Sequence, residues 1–434
     1  MRTRLFRIAT SAILGFGTAL TAAAQEFPGQ FRAGVSQKGS LLIFPAVELK
    51  WGPNGHLAQD TILSITNDYP DSVSIQLYFV NGDPPLEAGS FGVESEREHK
   101  GWNWADCQLL LTANQPTYWS ALTGLPAGCQ PFTALDEGSP PGRPDPEGPP
   151  GSRVLRGFVV GWAVDIEGNE IRWNHLSGDA MTVHYADTTA WEYSAYAFQA
   201  RSSENGFWTD QNPGVLFLNG NEYDLPPEKL LFLFNATGAQ FLSGGKAFIN
   251  EDTDVTLMPV VMDLRQDSVG PVTTKAKFDI WNMNETRFSG TERCVTCWDQ
   301  TLLGDYEVPD NFLRYNLHTD VGKARVDGIA STRCDQPGGF CPDRNGGDSV
   351  AAGKGSIEGC SLNVPIIGVA SRLLSISGTS CGSKAATGSV LTGMGEEFGI
   401  IVYDIIEGPS EAQAPRVGRL SGNDSSKPTR PSSR

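Results

Sequence analysis

The densest gathering of side chains able to do chemistry is Glu94, Glu96, Glu98, His99, Trp102, Trp104 and Asp106, just before Cys107. Carboxylates beside indole faces suit a carbohydrate, the ring stacking on the sugar while the acids take its hydroxyls. His99 beside Glu98 alternatively suits a metal. Trp102 and Trp104 are two apart, so an extended chain places them on one face. The competing account makes the charges a solvated loop and the indoles its anchor in the core. Glu96, Glu98, His99, Trp102 and Trp104 are the expected ligand-binding residues.

Other motifs fall short of a catalytic constellation. Gly378-Thr379-Ser380-Cys381-Gly382 has the form of a serine nucleophile elbow, but that arrangement needs a histidine later in the chain. The last one is His318. Cys294-Val-Thr-Cys297 has redox or metal spacing, yet Trp298 stands where covalent haem needs histidine. A zinc site would want a second matched pair, and six residues separate Cys334 from Cys341. Asp343 to Asp348 lacks the acid that closes an EF-hand, and like Asp252-Thr-Asp254 it suits either a looser calcium site or a turn. His56, His175, His184 and His318 follow no ligand spacing. No catalytic residue, metal site or cofactor is assigned.

The amino terminus carries three arginines by Arg7, an apolar stretch from Ile8 to about Leu20, and Ala22-Ala23-Ala24 before Gln25. That is the layout of a cleaved secretion signal, too short to cross a bilayer as a helix of roughly 20 residues. No later stretch is long and apolar enough to span. Losing residues 1–24 removes three of 33 basic residues and none of 50 acids, so the formal charge moves from −17 to −20. Such a surface repels phosphate backbones, which excludes nucleic acid as an expected partner. Carbohydrate or another envelope protein fits better. Eight cysteines behind a signal read as disulfides formed outside the cytoplasm: Cys107 with Cys129, Cys360 with Cys381, and two bridges among Cys294, Cys297, Cys334 and Cys341.

These residues must be positioned by strands. Gly 49 and Pro 28 separate short apolar runs, the pattern of many strands and few helices. Val73 to Val80 alternates with period two after the turn cluster 67–72, and with Thr61 to Thr66 it reads as the clearest hairpin. Further runs lie at 41–47, 157–164, 171–173, 181–185, 191–198, 230–234, 255–261, 276–281, 364–369, 373–376 and 400–406. Asn67, Asn235 and Asn282 each close such a run and open a turn. Asp136 to Ser152, with six prolines, reads as a long exposed loop without structure of its own, and 408–434 as a disordered basic tail.

The expected fold is all-β: two β-sandwich-like domains, of immunoglobulin or jelly-roll type, with long disulfide-stapled loops. The division is a signal at 1–24, a first domain at 25–220 carrying the loop 136–152, a second at 221–407, and the tail. The expected function is an exported, non-catalytic binding or structural protein, secreted or periplasmic. The alternative is an exported polysaccharide-acting enzyme with carboxylates paired from Glu96, Glu98, Glu396 and Glu397.

Overall fold

The computed structural model describes residues 32–83, 104–201, 216–241, 247–260, 273–306, 311–329, 365–378, 382–390 and 403–407, single residues or pairs within those spans apart. Its sheets are antiparallel and the chain is all-β. The first ten strands are β1 (Leu41–Trp51), β2 (Leu57–Asn67), β3 (Val73–Asn81), β4 (Trp104–Leu111), β5 (Pro116–Ser120), β6 (Arg143–Pro144), β7 (Arg153–Val164), β8 (Leu176–His184), β9 (Thr189–Ser194) and β10 (Tyr196–Phe198). They form one sheet in the order β4-β3-β7-β1-β2-β8-β9, with β10 on β1, β5 on β2 and β6 on β7. Sequence explains the places. β1 and β7 are apolar almost throughout and buried on both faces, as central strands are. β8 and β9 alternate buried and half-buried residues, so one face of each meets solvent.

Three expectations need correction. β2 and β3 do not form a hairpin, because β7 and β1 lie between them. The turn cluster is instead a crossing: the Asn67 amide donates to Asp71 O at 2.8 Å and Thr112 O at 3.2 Å, tying it to the neighbouring β4–β5 connection. A turn signal marks where a chain reverses, not which strand it then joins. Ile171 to Trp173 is not a strand; Trp173 is a tether, its backbone N–H on Ser40 Oγ and its indole N–H on Asn67 Oδ1. Finally, 136–152 is an ordered loop. Asp136 accepts from the Gly138 and Gly142 amides at 2.8 and 3.1 Å, and β6 pairs with the start of β7.

The remaining elements are β11 (Leu230–Asn235), β12 (Gly238–Phe241), β13 (Ala247–Pro259), β14 (Thr273–Asn282), β15 (Arg287–Phe288), β16 (Glu292–Thr296), β17 (Asp299–Leu302), helix α1 (Arg314–Leu317), β18 (Val321–Ile329), β19 (Ile366–Gly378), β20 (Gly382–Val390) and β21 (Tyr403–Glu407). One sheet runs β11-β18-β14-β15 with β16 on β14; another runs β12-β13-β19-β20-β21 with β17 on β13. Phe232, Phe278 and Ile280 of the first pack with Val255, Leu257 and Ile366 of the second in a common core. β2, β11 and β14 end on Asn67, Asn235 and Asn282. Asn282 Oδ1 takes the amides of Asn284 and Thr286, which turns the chain.

The core of the ten-stranded sheet also takes in Met258, Ile367 and Val369 from the later strands, with Val260 just after β13 and Trp298 between β16 and β17. Trp298 is wholly buried, and its indole N–H donates to Pro45 O at 2.7 Å. Its ring lies on Gly82, where a Cβ would come within 2.3 Å of it, so only glycine permits that contact. The Tyr196 hydroxyl bonds Gly368 O at 2.9 Å in the same seam.

Candidate functional site

Of the residues expected to bind ligand, Glu96, Glu98, His99 and Trp102 lie outside the described residues, as do Glu396 and Glu397. Trp104 opens β4 half-buried, its ring 4.8 Å from Tyr78 and edge-on, while Tyr78 stacks on the buried Trp162 at 5.1 Å. It ends an aromatic row across three strands. Cys107 is bonded to Cys129, with Cα atoms 5.5 Å apart. Gly124, at φ 70°, supplies the sharp return that aims Cys129 at β4, its carbonyl accepting from the Cys129 amide at 3.0 Å. Cys294 is also in a disulfide, and the buried Cys297 follows at φ 59°. Asp343 to Asp348, Ser380, Cys334, Cys341, Cys360 and Cys381 lie outside the described residues. Asp252 spends its carboxylate on Thr237 and on the Thr253 and Gly304 amides.

Charged side chains converge instead where the ten-stranded sheet meets β13 and β17. Lys50 Nζ lies 3.3 Å from Glu48 and 3.4 Å from Glu147, which reaches in from the proline-rich loop. Gln59 donates to Glu48 at 2.6 Å, and Gln300 donates to Asp254. Arg156 pairs with Asp83 at 3.0 Å, its guanidinium 5.5 Å from the Trp298 ring centroid. Beside these groups is a cleft of about 190 Å³, lined by Glu147, Arg156, Arg293, Asp299, Gln300 and Thr301 among others.

Burial and charge set the protonation there. Burial opposes ionisation of Glu48, but Lys50 and Arg156 outweigh it and hold the carboxyl below the usual range. Burial opposes the Lys50 charge too, and the Glu48 and Glu147 carboxylates more than restore it. At Asp254 the Gln300 hydrogen bond and the Lys50 charge favour ionisation but are outweighed. Burial, then the charges of Glu147 and Glu48, push it up to about 7. One Asp254 oxygen is buried with no hydrogen-bond partner. The cluster can therefore clamp the two parts of the chain together and take up a proton near neutrality.

A second concentration of charge faces outward on β14, β15 and β18. Ala276, Phe278 and Ile280 point into the core, so Lys275, Lys277, Asp279 and Trp281 share the other face. Register sets Lys323 and Arg287 on either side of Trp281, and Arg325 beside Asp279. Lys323 Nζ and the guanidinium carbons of Arg287 and Arg325 lie 5.5, 5.8 and 6.0 Å from the Trp281 ring centroid. Asp279 is buried beneath both arginines, bonding Arg287 at 2.6 Å and also Arg325. Burial raises its pKa, yet those two cations hold it below the usual range.

Sequence reasoning singled out Asp254 only as a calcium candidate and passed over Glu48, Lys50 and Glu147. The alternation Val47-Glu48-Leu49-Lys50-Trp51 was a signal for the first two; nothing local marked Glu147. Trp281 and Arg287 come from adjacent strands, but Lys323 and Arg325 come from β18, about 40 residues on. No protein-family model matches this chain, and neither does any curated protein.

Proposed function

We propose that the chain is an exported binding or structural protein of the cell envelope or extracellular space, working through a stiff β-framework. The observation that supports this is how the seam cluster is spent. Lys50, Glu48, Arg156 and Asp83 pair with one another, and Trp298 and Tyr196 stitch the later strands to the first sheet. Groups so committed hold a shape. The partners this role implies are carbohydrate or another envelope protein, met at the surface. The test is fractionation of a bacterium expressing the full chain. The protein should leave the cytoplasm with Gln25 as its first residue and associate with envelope or extracellular material. Retention in the cytoplasm with Met1 intact would overturn the proposal.

One observation favours a second role, an exported enzyme acting on polysaccharide. Asp254, pushed up to about 7 beside Glu48 and Glu147, has the protonation a general acid needs. Release of reducing ends from neutral and acidic polysaccharides, abolished in a folded Asp254→Asn variant, would establish it. No release by the native chain across that panel would dismiss it.

A further inference from the structure

We propose that the outward face around Trp281 binds an acidic polysaccharide through its carboxylates, a site that rests on the binding role above and gives it a ligand class. The face is anomalous in charge. The whole chain carries −17, yet around Trp281 the cations Lys323, Arg287 and Arg325 stand against Asp279 and Asp327, a local balance of three positive to two negative, or +1. Farther along the same face Lys275 pairs with Glu292, and Lys277 is exposed. At the Trp281 end the excess rests on Lys323 and Arg287.

That end is also organised. Asp279 bonds both guanidiniums from below, and the indole stands within cation–π distance of all three cations. Such bracing lowers the side-chain entropy lost when an anion binds. Arg287 remains 61% exposed despite its ion pair, and Lys323 is exposed, so both offer donors outward. Exposed apolar side chains occur at the same end of the sheet. Met283, in the turn after β14, is 59% exposed, and Tyr315 is 84% exposed on α1. Asn282 holds α1 to this end by donating to Leu317 O at 2.9 Å.

Three cations across three strands span about 10 Å, and exposed apolar groups occur at the same end of the sheet. A chain of sugar acids matches this, with one carboxylate on each ring for the guanidinium forks and C–H faces for the apolar neighbours. Nucleic acid matches poorly. Its dense phosphates are held by many cations together, and the rest of this surface repels them.

The test is equilibrium binding of the full secreted chain to polygalacturonate at low and at physiological ionic strength, beside methyl-esterified polygalacturonate and duplex DNA. Saturable, salt-weakened binding to the acid form alone is expected. The variant Arg287→Ala/Lys323→Ala should weaken it about tenfold, as loss of two exposed charge contacts implies. Lys323→Glu, which leaves both Asp279 pairs intact, should do the same and serves if the double variant misfolds. No binding to polygalacturonate, equal binding to the ester, tighter binding to DNA, or undiminished binding by folded Lys323→Glu would each overturn the site. Failure here with envelope association intact would overturn the ligand class and leave the binding role standing; loss of envelope association would overturn that role itself.

Discussion

Two tryptophans with arginine over their rings, Trp298 and Trp281, sit in opposite surroundings. Trp298 lies sealed in the seam with Arg156, whose charge Asp83 answers. Trp281 lies on an outer face with Arg287 and Arg325, which share Asp279 while Arg325 also faces Asp327, and with Lys323, the positive charge in excess. The same residue types fasten the molecule to itself in one place and present it to a partner in the other. What separates them is the balance of charge and the access of water.

Substitution should break this comparison most sharply at the tryptophans. Trp298→Ala should cost roughly 3–5 kcal/mol in denaturant unfolding, because a fully buried ring and its hydrogen bond are lost. Trp281→Ala should cost only about 1 kcal/mol, as a half-buried surface residue. Similar costs would erase the distinction. Next in size, Lys50→Met strands Glu48 and Glu147 without their cation, and stability should fall by about 3 kcal/mol.

Acid and base should separate the two regions by sign. Asp254 binds its proton more tightly folded than unfolded, so its contribution is full in acid and is lost as pH rises towards about 7. Asp279 does the reverse. Its folded carboxyl is held low, so its contribution is present at neutral pH and is lost as pH falls through the acidic range. Melting temperatures followed from acid to neutral pH should show Asp254→Asn flattening the neutral side and Asp279→Asn flattening the acid side. Smallest of all, Arg287→Ala/Lys323→Ala should change unfolding stability by no more than about 1 kcal/mol. A larger loss would make the outer face a structural clamp like the seam.

Much of the strand inventory was legible because burial imprints itself locally. The unbroken apolar runs of β1 and β7 and the alternation of β14 say how many faces are covered. Cys107 with Cys129 was readable from proximity along the chain. Pairing was not, since β3 takes β7 rather than its sequence neighbour β2, and turn chemistry carries no information about a strand made later. The candidate sites were hidden for the same reason. Glu147 meets Lys50 across 97 residues, and Arg325 meets Asp279 across 46.

The crossing between β2 and β3 also bears on how the chain is made. β1 finds its long partner only in β7, with Leu41 opposite Trp162 and Trp51 opposite Arg153. A chain threading outward amino terminus first would release β1, β2 and β3 well before β7 arrives, and no tight local hairpin would occupy β3 meanwhile. Pairings so distant in sequence slow folding, and unpaired apolar edges recruit other chains. The time between emergence of Leu41 and of Val164 is thus the interval in which nascent molecules are most prone to aggregate, and a holding chaperone would act to greatest effect there.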